Sequence, residues 1–133
     1  MRFEFERDKD SGVILVTVEL DGLHSFKMLL DTGASSTTFD FNSLHLVGYA
    51  INHTLDTNPV ETANGIIKVN SYQALSISAF GHTVKNIPIQ IYDFIAHGII
   101  SDYDGVLGLD FFQNTVFTID MVNNTVVLIS DSV

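Results

Sequence analysis

Asp31 stands in the stretch "LLDTGASSTTF" (29–39), where Phe26, Met28, Leu29 and Leu30 lead into a carboxylate and the chain turns at once on Thr32-Gly33. A stray surface aspartate would sit among polar neighbours, but this one is flanked by core-type segments, with Phe39 and Phe41 downstream. A carboxylate held at the end of a core strand is a candidate general acid or base, because its surroundings can set its protonation state. Gly33 permits unusual dihedrals and the close approach of another backbone, and the Thr32 hydroxyl can donate to a neighbouring main chain. Other chemistries fit the residues less well. Asp102, Asp104 and Asp110 do not build an EF-type calcium loop: the alternation continues into Val106 and Gly108, and the sixth position is Leu107 rather than Gly. The histidines at 24, 45, 53, 82 and 97 include no His-Glu-x-x-His and no pair at ligand spacing, so neither a metal nor a cofactor is expected. Without cysteine there is no disulfide, thiolate metal site or cysteine nucleophile, and no Gly-x-Ser-x-Gly elbow offers a serine.

The elements that must hold Asp31 read as strands. "VILVTVEL" (13–20) ends at Asp21-Gly22, a strong hairpin dipeptide, and "HSFKMLL" (24–30) returns. "LSISAF" (75–80) sets Leu75, Ile77 and Ala79 against Ser76 and Ser78, turns at Gly81, and is followed by the alternating "TVKNIPIQIY" (83–92). Segments 115–120 and 125–129 flank Asn123-Asn124 as a further hairpin, and "ETANGIIKV" (61–69) centres on Asn64-Gly65, a type I′ pair, with Pro59 marking an edge strand. Helical signal is thin: 42–47 with Asn42 as cap and Gly48 as stop, and 109–114 with Asp110 near the start. No linker or low-complexity segment interrupts the chain, so its 133 residues are expected to form a single all-β domain, 1–133, as a closed or strongly curled barrel.

Composition narrows the partners. Hydrophobic residues make up 46%, enough for a substantial core. The net charge of -10 repels phosphate backbones, so nucleic acid is not an expected partner. No run of about 18 apolar residues suggests a membrane span, and the charged start "MRFEFERDKD" has no signal-peptide pattern, so a cytoplasmic location is expected.

The Asp31 segment resembles the active-site segment of the retropepsin-like aspartic proteases: two apolar residues, Asp-Thr-Gly-Ala, and a Thr at the place of Thr37. "DGVLGLDFF" (104–112) resembles that family's apolar-apolar-Gly loop, here Val106-Leu107-Gly108, with the short helix after it. The 61–69 hairpin falls where the family has its flap, and "FTIDMVNNTVVL" resembles its closing strands. The resemblance implies a retropepsin-like barrel acting as a peptidase without cofactor. Two aspartates share one water, one as general base and the other, protonated, as general acid. The chain carries the motif once, so the resemblance implies a homodimer in which Asp31 meets its own symmetry mate. It also implies that Thr32 and Gly33 support the site and that Gly33, Ala34, Ser35, Asn64, Gly65, Ile66 and Val106 contact a peptide or protein substrate. The same barrel kept as an inactive dimerisation or peptide-binding module is the alternative.

Departures from the family are specific. Ser35 and Ser36 stand where retroviral members commonly carry acidic residues, so retroviral subsite preferences do not transfer. Ala34 replaces the Ser common in pepsin-like enzymes and cannot bond the aspartate through a hydroxyl, which with the acidic surroundings favours a rate profile centred at about pH 4.5 to 6.5. Segment 93–103, longer than a compact retroviral protease needs, is expected to edge the cleft or support the hairpin.

Overall fold

The structure, a computed structural model, describes the backbone of residues 2–50, 57–62 and 65–130, and the side chains of 2–50 and 70–130. Strands β3 (Ile14–Leu20) and β4 (His24–Leu30) form the expected hairpin. Asp21 (φ 57°) and Gly22 (φ 67°) both take the left-handed conformation that a type I′ turn requires. Val16, Val18 and Leu20 alternate inward, and Val16 and Val18 pair across to Met28 and Phe26, all five buried.

A ring of six strands closes from there. β4 pairs in parallel with β9 (Gly105–Leu107), which pairs antiparallel with β5 (Thr38–Asp40). β5 runs parallel to β8 (His82–Tyr92), and β8 pairs with β7 (Gly65–Ala79). β7 returns to β3 through Glu19–Ser78 and Leu20–Ile77. The interior is packed by Val18, Met28, Phe39, Leu44, Ile77, Ile89, Leu107 and Phe111, each fully buried. At that density the barrel is a filled core rather than a pore. β2 (Glu6–Arg7) extends the sheet beyond β3, and β6 (Thr57–Thr62), which contains Pro59, is its other edge. A second sheet joins β1 (Arg2–Glu4), β11 (Thr125–Ser130) and β10 (Thr115–Asp120).

Several sequence expectations shift in detail. The charged N-terminal segment supplies β1 and β2. Residues 65–79 form one 15-residue strand rather than two separate ones. Leu75 is 66% exposed, not inward: the buried positions change phase between Ala74 and Ile77. Opposite this point Asn86 has φ 53°, and the Leu75–Asn86 pair is missing from a ladder that holds Ala74–Ile87 and Ser76–Lys85. The β6–β7 register runs from Thr57–Asn70 to Thr62–Gly65, so Gly65 is a strand residue and the connection is 63–64, one position earlier than the Asn64-Gly65 turn expected. Asn64 itself lies outside the described residues. The β10–β11 turn spans four residues, 121–124, because Asp120 Oδ1 accepts from Val122 N (2.9 Å) and Asn123 N (3.0 Å).

Helix α1 covers Phe41–Leu46 with Asp40, not Asn42, at its N-cap position; Asn42 lies inside it and donates to Asp93 Oδ1 at 2.9 Å. Gly48 (φ 100°) follows the helix end as expected. Segment 93–103 docks on β5 by burying Phe94, whose N–H donates to Asp40 Oδ1 at 3.0 Å, and turns through a 3-10 helix at Ile95–His97. Among the described residues no helix is long and apolar enough to cross a membrane.

Candidate active site

The strand order explains why the Asp31 loop has its shape. β9 lies between β4 and β5, so the chain leaving β4 must cross the end of β9 to reach β5. Gly105 makes the insertion possible: a Cβ there would run into Thr38 O and approach Met28 Cε to 2.9 Å and Phe39 Cα to 3.0 Å. The β4–β9 ladder continues one step past the strand, with Asp31 N donating to Leu107 O at 3.1 Å. The chain then turns on its own side chain. Gly33 N donates to Asp31 Oδ1 at 2.8 Å and Ala34 N to Asp31 O at 3.2 Å, an Asx-type turn that fixes the carboxylate relative to its loop.

Behind the turn, the loop is stitched to the segment after β9. Leu109 N donates to Ala34 O (2.8 Å) and Asp110 N to Ser35 O (3.2 Å). The Asp110 carboxylate accepts Thr37 N at 2.9 Å and Thr37 Oγ1 at 2.6 Å, and Thr37 Oγ1 accepts Gly108 N at 3.1 Å. Thr37 is fully buried, so this chain satisfies polar groups that water does not reach. Gly108 is needed because a Cβ would fall 2.7 Å from Ser36 C and O and 2.9 Å from Ala34 O. The carboxylate of Asp110, placed from sequence only near a helix start, therefore serves the Asp31 loop, while Leu109–Phe112 form a 3-10 turn that buries Phe111 and Phe112. Thr37 and Asp110 lie 73 residues apart, and no local pattern announces their bond.

Of the residues singled out from sequence, Asp31, Thr32, Gly33, Ala34 and Ser35 share this loop. Val106 stands beside it in β9, paired with Leu29 and Thr38. Gly65 and Ile66 belong to another element, at the tip of the β6–β7 hairpin, paired with Thr62 and Glu61. Asp31 is less buried than its apolar flanks predict: within one chain it is half-buried, and Thr32, Gly33 and Ser35 are exposed, because the turn emerges from the end of the barrel. A cavity of about 490 Å³ adjoins the loop at Ser36 and Asp110 and follows β8 past Ile87 and Gln90 to Ser71 and Gln113. Asp104, considered for calcium, accepts Lys27 N and Ser43 Oγ, each at 2.9 Å. Among the described residues no three His, Asp or Glu side chains are grouped to hold a metal ion.

An outward Asp-Thr-Gly turn, braced by a Gly-containing turn across an inserted strand, defines a class of protein. The aspartyl protease family profile matches residues 16–111, and the chain belongs to that family. Its fold is similar to that in the "Crystal structure of a retropepsin-like aspartic protease from Rickettsia conorii", with a TM-score of 0.68 at 22% identity over 96% of this chain and 89% of that one. The barrel is thus retropepsin-like, as the sequence resemblance implied. No curated protein compared with the chain matches it.

Proposed function

We propose that residues 1–133 are one aspartic endopeptidase domain that acts as a homodimer, with an Asp31 from each copy at the two-fold axis. The observation that carries this is the Asp31 turn itself: a single Asp-Thr-Gly per chain, rigidly braced from behind yet exposed in front, is half of a two-carboxylate site. Two carboxylates brought together hold one proton between them. The ionised Asp31 removes a proton from water as its oxygen attacks the peptide carbonyl carbon. The protonated Asp31 of the other copy donates to the carbonyl oxygen. The tetrahedral intermediate then collapses, the C–N bond breaks, and a proton passes to the leaving nitrogen, giving a carboxyl and an amine terminus.

Thr32 and Gly33 support the site, with Thr32 at the contact between copies. Gly33, Ala34, Ser35 and Val106 border the bound peptide, and Asn64, Gly65 and Ile66 cover it with main-chain contacts. A half-site that is open in one chain is what a second copy would cover, and the net charge of -10 favours neutral or cationic peptides over acidic ones. The decisive experiment is Asp31→Asn, which keeps the acceptor for Gly33 N and removes the acid/base group. It should abolish cleavage of a peptide library while leaving the oligomeric state and melting temperature unchanged, and pepstatin should raise the melting temperature of the wild type only. Cleavage that survives Asp31→Asn would overturn the mechanism. No cleavage by a wild-type protein that still dimerises would assign the fold to binding alone.

A further inference from the structure

At the other end of β4 from Asp31, the carboxylate of Asp21 ties together three separate parts of the chain. Its Oδ2 accepts the phenols of Tyr49 and Tyr72, each at 3.0 Å, and its Oδ1 accepts Leu75 N at 2.6 Å and Ser76 N at 3.3 Å. Asp21 N in turn donates to Ser76 O at 2.8 Å. The two tyrosine rings meet edge to face at 5.7 Å, and His24 packs on Tyr49 at 5.9 Å. Both phenols have pKa values raised above the ordinary range, first by burial and then by their bonds to this carboxylate.

A type I′ turn does not require this. Asn serves the left-handed position as well as Asp, and an amide carbonyl would suffice for one backbone donor. Four donors converging on one side chain call for a carboxylate, which accepts on both oxygens. Their position in the chain matters. Tyr49 lies upstream of β6, which begins at Thr57. Tyr72 lies on β7 just past Asn70, the residue at which β7 exchanges its β6 partner (Thr57) for β8 (Ile91). Leu75 N, the donor closest to Asp21, belongs to the residue whose pairing with Asn86 is missing. Asp21 therefore grips β7 where its ladder is interrupted, and a single oxygen holds the approach to the β6–β7 hairpin and the exit from it.

We infer that Asp21 is a positioning residue: acting through Tyr49 and Tyr72, it sets the direction in which the β6–β7 hairpin leaves the barrel, and so how an extended peptide fits against that hairpin. The effect on peptide binding rests on the proposed peptidase function; the effect on the hairpin does not. The test is Asp21→Asn in the full chain, with a Tyr49→Phe/Tyr72→Phe double variant that keeps the rings and cannot be confused with turn damage. Hydrogen exchange at the amides of residues 65–72 should quicken about tenfold in both, the scale of one lost hydrogen bond to a charged acceptor. Exchange in β10 and β11 should not change. KM for peptide should rise several-fold with kcat held. Adding Asp21→Asn to the double variant should change little more. Unchanged exchange at 65–72, or equal acceleration in every strand, would overturn the assignment, as would a fall in kcat at constant KM. The exchange result needs no substrate, so it stands even if no peptide is cleaved. Should Asp21→Asn not fold, the tyrosine variants decide.

Discussion

Replacing Asp110 with Ala removes both acceptors of Thr37 and leaves its buried N–H and hydroxyl without partners on that side. Hydrogen bonds to a charged acceptor are each worth about 1.5–3 kcal/mol. The two here, at 2.9 and 2.6 Å, share one half-exposed carboxylate, so the low end applies and the loss is about 3 kcal/mol. Unfolding entropy of about 2.1 cal/mol/K per residue over 133 residues turns this into a fall in Tm of about 10 °C. Asp110→Asn keeps one acceptor for Thr37 N while its amide reorients toward Oγ1, and should cost about 1 kcal/mol. Urea unfolding at fixed protein concentration measures both, and an unchanged m-value confirms that stability alone has moved. Activity in Asp110→Ala should fall further than the folded fraction does, since the Asp31 turn loses its brace. An Ala variant within about 0.5 kcal/mol of wild type, or one no worse than Asn, would refute the role assigned to this carboxylate.

Two further outcomes follow from the geometry, those for Gly108 and Tyr49, and one, for Thr32, from the proposed dimer. Gly108→Ala presses a methyl onto the Ala34 and Ser36 main chain and should cost about 3 kcal/mol, read as a lowered urea midpoint. Thr32→Ala should weaken self-association about fivefold or more, about 1 kcal/mol per lost bond, as measured by sedimentation, with activity lost most at low protein concentration. In alkali, the raised phenol pKa of Tyr49 means that the native state holds its proton after the unfolded chain has released it. Stability is therefore full below the ordinary phenol pKa of about 10 and declines as pH rises above it, and Tyr49→Phe should flatten that decline in urea titrations between about pH 9 and 11.

Period-two alternation made β3, β4 and the later part of β8 legible, since one buried face repeats every second residue. Asp-Thr-Gly and Val106-Leu107-Gly108 were legible as a pair through their resemblance to a known family, and Gly108 does lie where backbones meet. Neither pattern contains the Thr37–Asp110 bond: both residues look like ordinary polar positions until the inserted strand brings them together. β9 itself was hidden, because three residues are too few to show a period and the sequence reads as a loop. Leu75 misled for the opposite reason. It continues a local alternation that the native chain breaks, because Asn86 across the ladder takes positive φ and Asp21, far upstream, captures the Leu75 amide. Sequence periodicity records a strand's own faces, and it is blind to a carboxylate arriving from elsewhere.

The place of β9 between β4 and β5 also bears on the order in which this molecule can be made. β4 and β5 are close in sequence, yet they cannot zip to each other as a local hairpin, because the slot between them belongs to Gly105–Leu107. Lys27 N finds its acceptor on Asp104, 77 residues later. Until that stretch has been synthesised and threaded into place, Asp31 N has no Leu107 carbonyl, Ala34 and Ser35 have no amides to receive, and Thr37 has no Asp110. Distant closures of this kind are slow, because the entropy of the intervening loop must be lost before any contact rewards it. A ribosome-bound chain that has not yet emerged past Asp110 can own a β3–β4 hairpin and an Asp-Thr-Gly sequence and still lack a braced aspartate. The topology thus postpones the site: the Asp31 turn cannot be braced until most of the barrel exists.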